Sequence, residues 1–287
     1  MSAGEIQPVR KLPGRARLAA AGVAVLLAAA LVGPWVAPYA PEALDLDHRL
    51  AGPSVEHPLG RDELGRDVLS RLLAGARVSV TVGLGVVGVA GTLGTLLGVF
   101  AGALGGRADG ALMRAIDVFL AFPGILLAIA LVAVLGPALR HVLLALVAIG
   151  WVGYARLARG QTLALAEQEF VLAARAAGVP TVRLVWRHLL PNVLPLMIVQ
   201  ASLGLAGAIL AEASLSFLGL GIQPPTPSWG AMINAGRTHL LDAPHVTLFP
   251  GFAILASVLA LNFLGDALVE RLDPRGERRQ LAPAARQ

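Results

Sequence analysis

From Val78 to Leu104 the chain reads VSVTVGLGVVGVAGTLGTLLGVFAGAL, without a single charged residue. A helix needs roughly 20 apolar residues to cross ~30 Å of hydrocarbon, so this stretch is long enough and apolar enough to be a membrane span. Along it Gly94, Gly98, Gly102 and Gly106 recur at every fourth position, with Ala90 in the same row. Small residues at that spacing share one helix face and leave a groove where another helix backbone can approach closely. Packing within the subunit is favoured over a contact between subunits.

The whole chain agrees with that stretch. It has 287 residues, 56% hydrophobic and only 14% charged, with a mean hydropathy of +0.72. A soluble domain carries about 25% charged residues, so a mostly water-facing surface is excluded. The net charge of +5 is spread too thinly between apolar runs for a phosphate-tracking face, so nucleic acid is not an expected partner. The absence of cysteine excludes disulfides and Cys-ligated metal centres.

Five further spans are predicted around the first. The N-terminal one runs from Leu18 to about Ala40 behind Arg10, Lys11, Arg15 and Arg17. That arrangement also resembles a signal peptide, but its length, Pro34 and Pro38 favour a retained span. The others cover about Met113–Leu135, Val142–Arg159, Val193–Phe217 and Leu248–Leu268. The fourth span in chain order, Val142–Arg159, is short, so Arg156 and Arg159 are expected to snorkel to the interface. Six crossings that start inside also finish inside. Of the 23 Lys and Arg, only Arg49, Arg61, Arg66, Arg71, Arg77, Arg140 and Arg237 then fall outside, the sign that the positive-inside bias requires. Both termini are therefore expected to be cytoplasmic. The chain divides into an N-terminal segment, first span and external loop (1–77), a transmembrane core (78–270) containing a cytoplasmic loop (160–191), and a tail (271–287).

The external segment Pro41–Arg77 contains HPLGRDELGRD from His57 to Asp67. Asp67 is placed to cap a helix lying on the membrane surface before the chain turns into the Val78 span. A second external segment holds QPPTPSWG from Gln223 to Gly230, with Trp229 expected at the lipid interface. The internal loop reads EFVLAARAAGVP from Glu169 to Pro180 and continues through Arg183 and His188 to Leu190, Pro191 and Asn192. Ala-rich sequence, then Gly178, then Pro180 predicts helix, turn, helix, with Pro191 closing the second helix. Two uses fit: an elbow seated in a partner's groove, or an amphipathic connector on the membrane.

This loop resembles the EAA signature of bacterial ABC importer permeases: Glu-Ala-Ala, three residues, Gly, nine residues, Ile, one residue, Leu-Pro. Ala173, Ala174, Gly178, Leu190 and Pro191 match. Leu172 stands in the Glu position and His188 in the Ile position, while Glu169 lies one turn earlier. His57–Arg77, Glu212–Gly221, Gln223–Gly230 and Asn262–Arg275 resemble the C-type permease subunit of dipeptide, oligopeptide and nickel importers. The likeness covers nearly the whole chain. It implies an all-α, polytopic type I ABC importer (MetI-like) fold in the bacterial cytoplasmic membrane. It also implies a B-type permease partner, two cytoplasmic ATPases that hold ATP and magnesium, and an external solute-binding protein. The elbow residues Glu169, Ala173, Ala174, Gly178, His188, Leu190 and Pro191 would transmit ATPase motion. The residues themselves support that division of labour. A phosphate-cradling loop needs a Gly-rich turn before Lys, and the only lysine, Lys11, has none.

Two other classes compete. A membrane enzyme lacks a His-Glu-x-x-His helix or a Gly-x-Ser-x-Gly turn here. His239, Asp242 and His245 are spaced to ligate a metal, which would matter for a nickel cargo, but an exposed polar turn beside Pro244 is favoured. An ion-coupled secondary transporter would carry several buried charges and an inverted repeat, whereas only Glu212 lies deep in a span. Glu212 is either a pathway residue or a carboxylate held by neighbouring helices. Gln200 and Asn262 are further pathway candidates.

Overall fold

The computed structural model describes residues 14–272, and every regular element within them is helical. Arg10, Lys11, Arg275, Arg278, Arg279 and Arg286, which entered the charge count, lie outside the described residues. Five helices are long and apolar enough to cross a membrane, and a bent pair makes a sixth candidate span. The division at residue 77 falls inside a helix, so the N-terminal segment and the transmembrane core are stretches of one packed body.

Helix α2 (Val68–Leu104) is central, packing on α5 (Leu139–Ala166), on α1 (Gly14–Val36) and on α8 (Leu190–Phe217). Its 37 residues run without a break, so the expected surface helix before Val78 is simply its first turns. No proline or cap interrupts the chain at Arg77–Val78, and nothing there could end a helix. Asp67 does cap it, accepting from the Ser70 N–H and from the Ser70 hydroxyl, both at 2.7 Å. The glycine row on α2 faces α5. A Cβ at Gly94 would overlap the Trp151 carbonyl oxygen, and one at Gly98 the Ala155 carbonyl oxygen. The row is therefore a packing surface inside the subunit. Gly106 is not part of it, since with φ +55° it opens the next helix.

The expected third span is two helices, α3 (Gly106–Leu120) and α4 (Gly124–Leu135), bent by 79°. Pro123 causes the break, because it donates no N–H and disfavours helical backbone at Phe122. The fourth expected span is longer than predicted, since α5 continues to Ala166. Arg159 has a partner on another helix. Its guanidinium forms a two-pronged pair with Asp109 of α3, with Nη2 to Oδ2 at 2.7 Å.

Outside the spans, the loop before α2 is tied by charge. Asp62 accepts from the backbone N–H of Leu64 and of Arg66 and pairs with both the Arg66 and Arg71 guanidinium groups. His57 bonds to Asp67 at 2.8 Å beneath the stacked ring of Tyr39. A hydrogen bond from His48, helped by Arg61, holds the Asp45 carboxyl below the usual range. Burial pushes the Glu63 carboxyl up. Trp229 opens the short α9 (Trp229–Gly236) and is 3% exposed. Its indole N–H donates to the Leu72 carbonyl at 2.9 Å, so it is a core residue and not a lipid-interface anchor. The last described helix is α10 (His245–Leu272), packed on α8, α1 and α9.

Candidate functional site

The loop between α5 and α8 folds as a helical elbow. Helix α6 (Glu169–Ala176) carries Glu169 in its first turn, where a carboxylate suits the helix dipole. It ends in a Schellman motif: Val179 N–H donates to Ala174 O at 3.1 Å, and Gly178 N–H to Arg175 O at 2.9 Å. Gly178 sits at φ +77°, the left-handed conformation that the turn requires. Pro180 stands just ahead of α7 (Thr181–Leu184).

Beyond α7 the structure corrects one expectation. Pro191 does not close the second helix. A π turn over Val185–Leu189, with Leu190 N–H reaching back to Val185 O, joins α7 to α8 in one helix from Thr181 to Phe217. The wider turn relieves the clash between the Pro191 ring and the preceding carbonyls and absorbs its missing donor. His188 is half-buried in that turn, and its carbonyl accepts from Asn192 at 2.6 Å. Leu190 is half-buried and Pro191 exposed.

The elbow is fixed from below by Val171, Leu184, Val185 and Leu189, all buried against Val99 of α2 and Tyr154 and Ala158 of α5. Ala174 and Val179 pack on the same cluster. Its exposed side carries apolar and basic residues: Phe170 is 44%, Leu172 51%, Val182 62% and Trp186 52% exposed, and Arg175, Arg183 and Arg187 are exposed among them. Ala173, Ala176 and Ala177 are exposed on α6 and its turn. Leucine at position 172 makes this surface more apolar than the glutamate of the signature would.

The second feature is a groove along α5 and α8. A cavity of about 340 Å³ is lined by Val86 and Val87 of α2, Ile125 of α4, Ile149 and Tyr154 of α5, and Gly204 of α8. A second, more open space of about 490 Å³ is lined by Gly153, Arg156, Leu157, Gly160, Gln161 and Gln200. The two share Gly153 and Gln200, so they are parts of one groove, apolar at one end and polar at the other. Tyr154 donates across its floor to the Gln200 carbonyl at 3.4 Å.

Of the predicted pathway residues, only Gln200 lines this groove. Glu212 is fully buried within the subunit, where its carboxylate accepts from Ser216 at 2.7 Å and from Ser79 at 3.2 Å. Asn262 donates to Val258 O one turn back in its own helix, at 2.8 Å. His239, Asp242 and His245 do not converge, and no group of three potential metal ligands occurs among the described residues. His245 instead bonds to the Arg61 carbonyl at 3.1 Å. Sequence reading missed the groove face of α5. Its stripe from Leu146 through Gly153 to Gly160 has helical spacing, but apolar neighbours on every side hide which face stays open.

A helical membrane subunit with an open groove and an exposed apolar elbow has the form of a transporter component. The chain belongs to the family of inner membrane components of binding-protein-dependent transport systems, whose pattern matches residues 94–278. It is 43% identical over 258 residues to the probable D,D-dipeptide transport system permease protein DdpC of Escherichia coli (strain K12), covering 90% of this chain and 87% of that one. It is 46% identical over 261 residues to the glutathione transport system permease protein GsiD of Escherichia coli O6:K15:H31, covering 91% of this chain and 86% of that one. Membership of this family makes the chain an inner-membrane permease component and sets the ion-coupled secondary transporter aside.

Proposed function

We propose that this chain forms half of the translocation pathway of an ATP-driven importer of di- and oligopeptides, with both termini in the cytoplasm. A B-type permease supplies the other half and covers the groove. Two cytoplasmic ATPases hold ATP and magnesium and grip the elbow, and an external solute-binding protein delivers the cargo. The chain itself hydrolyses nothing, having no lysine placed in a phosphate-cradling loop.

One observation carries this reading: elbow and groove share one continuous helix. The helix Thr181–Phe217 buries Leu184 and Leu189 in the elbow's footing and presents Gln200 to the groove. A push on the exposed apolar surface at Phe170, Leu172 and Trp186 therefore tilts the groove wall as a lever. ATPase closure turns the groove outward to accept cargo, and reopening turns it inward, a shear of packed helices between two arrangements. Peptide cargo is supported by the dipeptide and glutathione named for the relatives. Nickel is the runner-up cargo among importers of this type, and no observation favours it.

Accumulation of radiolabelled dialanine in intact cells tests the reading. Cells with this chain are expected to concentrate it, and deletion of either this chain or its ATPases is expected to abolish that uptake. Uptake that persists without the ATPases would overturn it.

A further inference from the structure

Two arginines lie three residues apart on α5 and have different fates. Arg159 is held by Asp109 of α3 through paired hydrogen bonds. Arg156 is exposed and has no carboxylate within ion-pair distance among the described residues. It lines the polar end of the groove, between Gly153 and Gly160 on its own helix and beside Gln161 and Gln200. A guanidinium facing hydrocarbon is costly, so at the end of a span, where Arg156 is expected, it belongs beside water or beside an anion brought to it.

The surroundings suit a planar anion. The guanidinium presents its donors in a fork that matches a carboxylate two-prong. Gln161 and Gln200 line the same space, and the side-chain amide of each carries two N–H donors. A Cβ at Gly153 or Gly160 would meet nothing within 4 Å, so the helix surface on either side of Arg156 is open.

We infer that Arg156, flanked by Gln161 and Gln200, is the carboxylate-recognition point of the pathway, where a free carboxylate of the passing peptide is held. This rests on the peptide-import reading. The phosphate of a lipid headgroup has the same anionic chemistry, so the test must separate cargo from lipid.

The experiment uses cells carrying the complete importer with wild-type chain, Arg156→Gln or Arg156→Lys. Uptake of radiolabelled dialanine and of its C-terminal amide is measured per molecule of chain in the membrane. Any preference for the acid imposed elsewhere in the importer is common to all three strains and cancels when their acid-to-amide ratios are compared. The ratio is expected to fall about tenfold in Arg156→Gln, the size of one lost charge-assisted hydrogen bond. Arg156→Lys keeps the charge without the fork and is expected to fall less. Equal ratios in all three strains would overturn the inference even if absolute uptake changed, because a lipid-anchoring or purely structural arginine affects acid and amide alike. Absence of dialanine uptake in the wild-type strain would instead overturn the peptide reading itself.

Discussion

At the scale of single residues, burial decides what a polar group does. Glu212 is the most buried acid among the described residues, and its carboxylate accepts from Ser79 and Ser216. Replacing it with alanine leaves both hydroxyls without a partner and opens a void, at a cost of about 1–3 kcal/mol. Thermal unfolding of the detergent-solubilised Glu212→Ala protein is expected to show that loss, with Glu212→Gln recovering most of it. Uptake per inserted molecule is expected to stay near wild type; a selective loss of uptake in a fully stable Glu212→Gln protein would instead put this side chain on the pathway. Gly178 was legible in the sequence because its role is local: an Ala-rich run before it and Val-Pro after it leave only a helix end. Trp229 was not, because its indole answers to the Leu72 carbonyl, 157 positions away. Arg159 and Asp109, 50 residues apart, were unreadable for the same reason.

At the scale of elements, hydropathy found the spans but not where they end. A hydropathy reading stops at the first charge, whereas a helix stops where hydrogen bonding fails. Hence α2 begins at Val68, ten residues before its uncharged stretch begins at Val78, and α5 runs past Arg159 to Ala166. Prolines were read too simply. Pro123 breaks its span, whereas Pro191 is accommodated by a π turn that sequence alone does not announce. The elbow depends on its own terminator. Valine at position 178 is forced into a left-handed backbone at about 1–2 kcal/mol, on the order of tenfold in the population of the seated elbow. The Gly178→Val protein is expected to insert and accumulate normally, as seen by immunoblotting of membranes, while dialanine uptake falls by about that factor or more. Unchanged uptake would remove the elbow from the mechanism.

At the scale of the whole molecule, the fold class and family were readable because motifs in order along a membrane chain leave few architectures. The groove was not, since an open face is a property of packing and not of any one helix. The proposed orientation rests on the charge bias and has a direct check, made simple by the absence of native cysteine. Ser54 and Thr226 are exposed in the segments assigned outside, and Arg175 is exposed on the elbow. An impermeant thiol reagent is expected to modify Ser54→Cys and Thr226→Cys in intact cells, and Arg175→Cys only after permeabilisation. The reverse pattern would invert the topology.

The most direct test of a passive pathway driven from outside itself is reconstitution in proteoliposomes, with ATP hydrolysis and dialanine uptake read together. The purified chain alone is expected to do neither, and the assembly with its partner permease, ATPases and binding protein to do both. Nucleotide turnover or solute movement by the chain alone would contradict it.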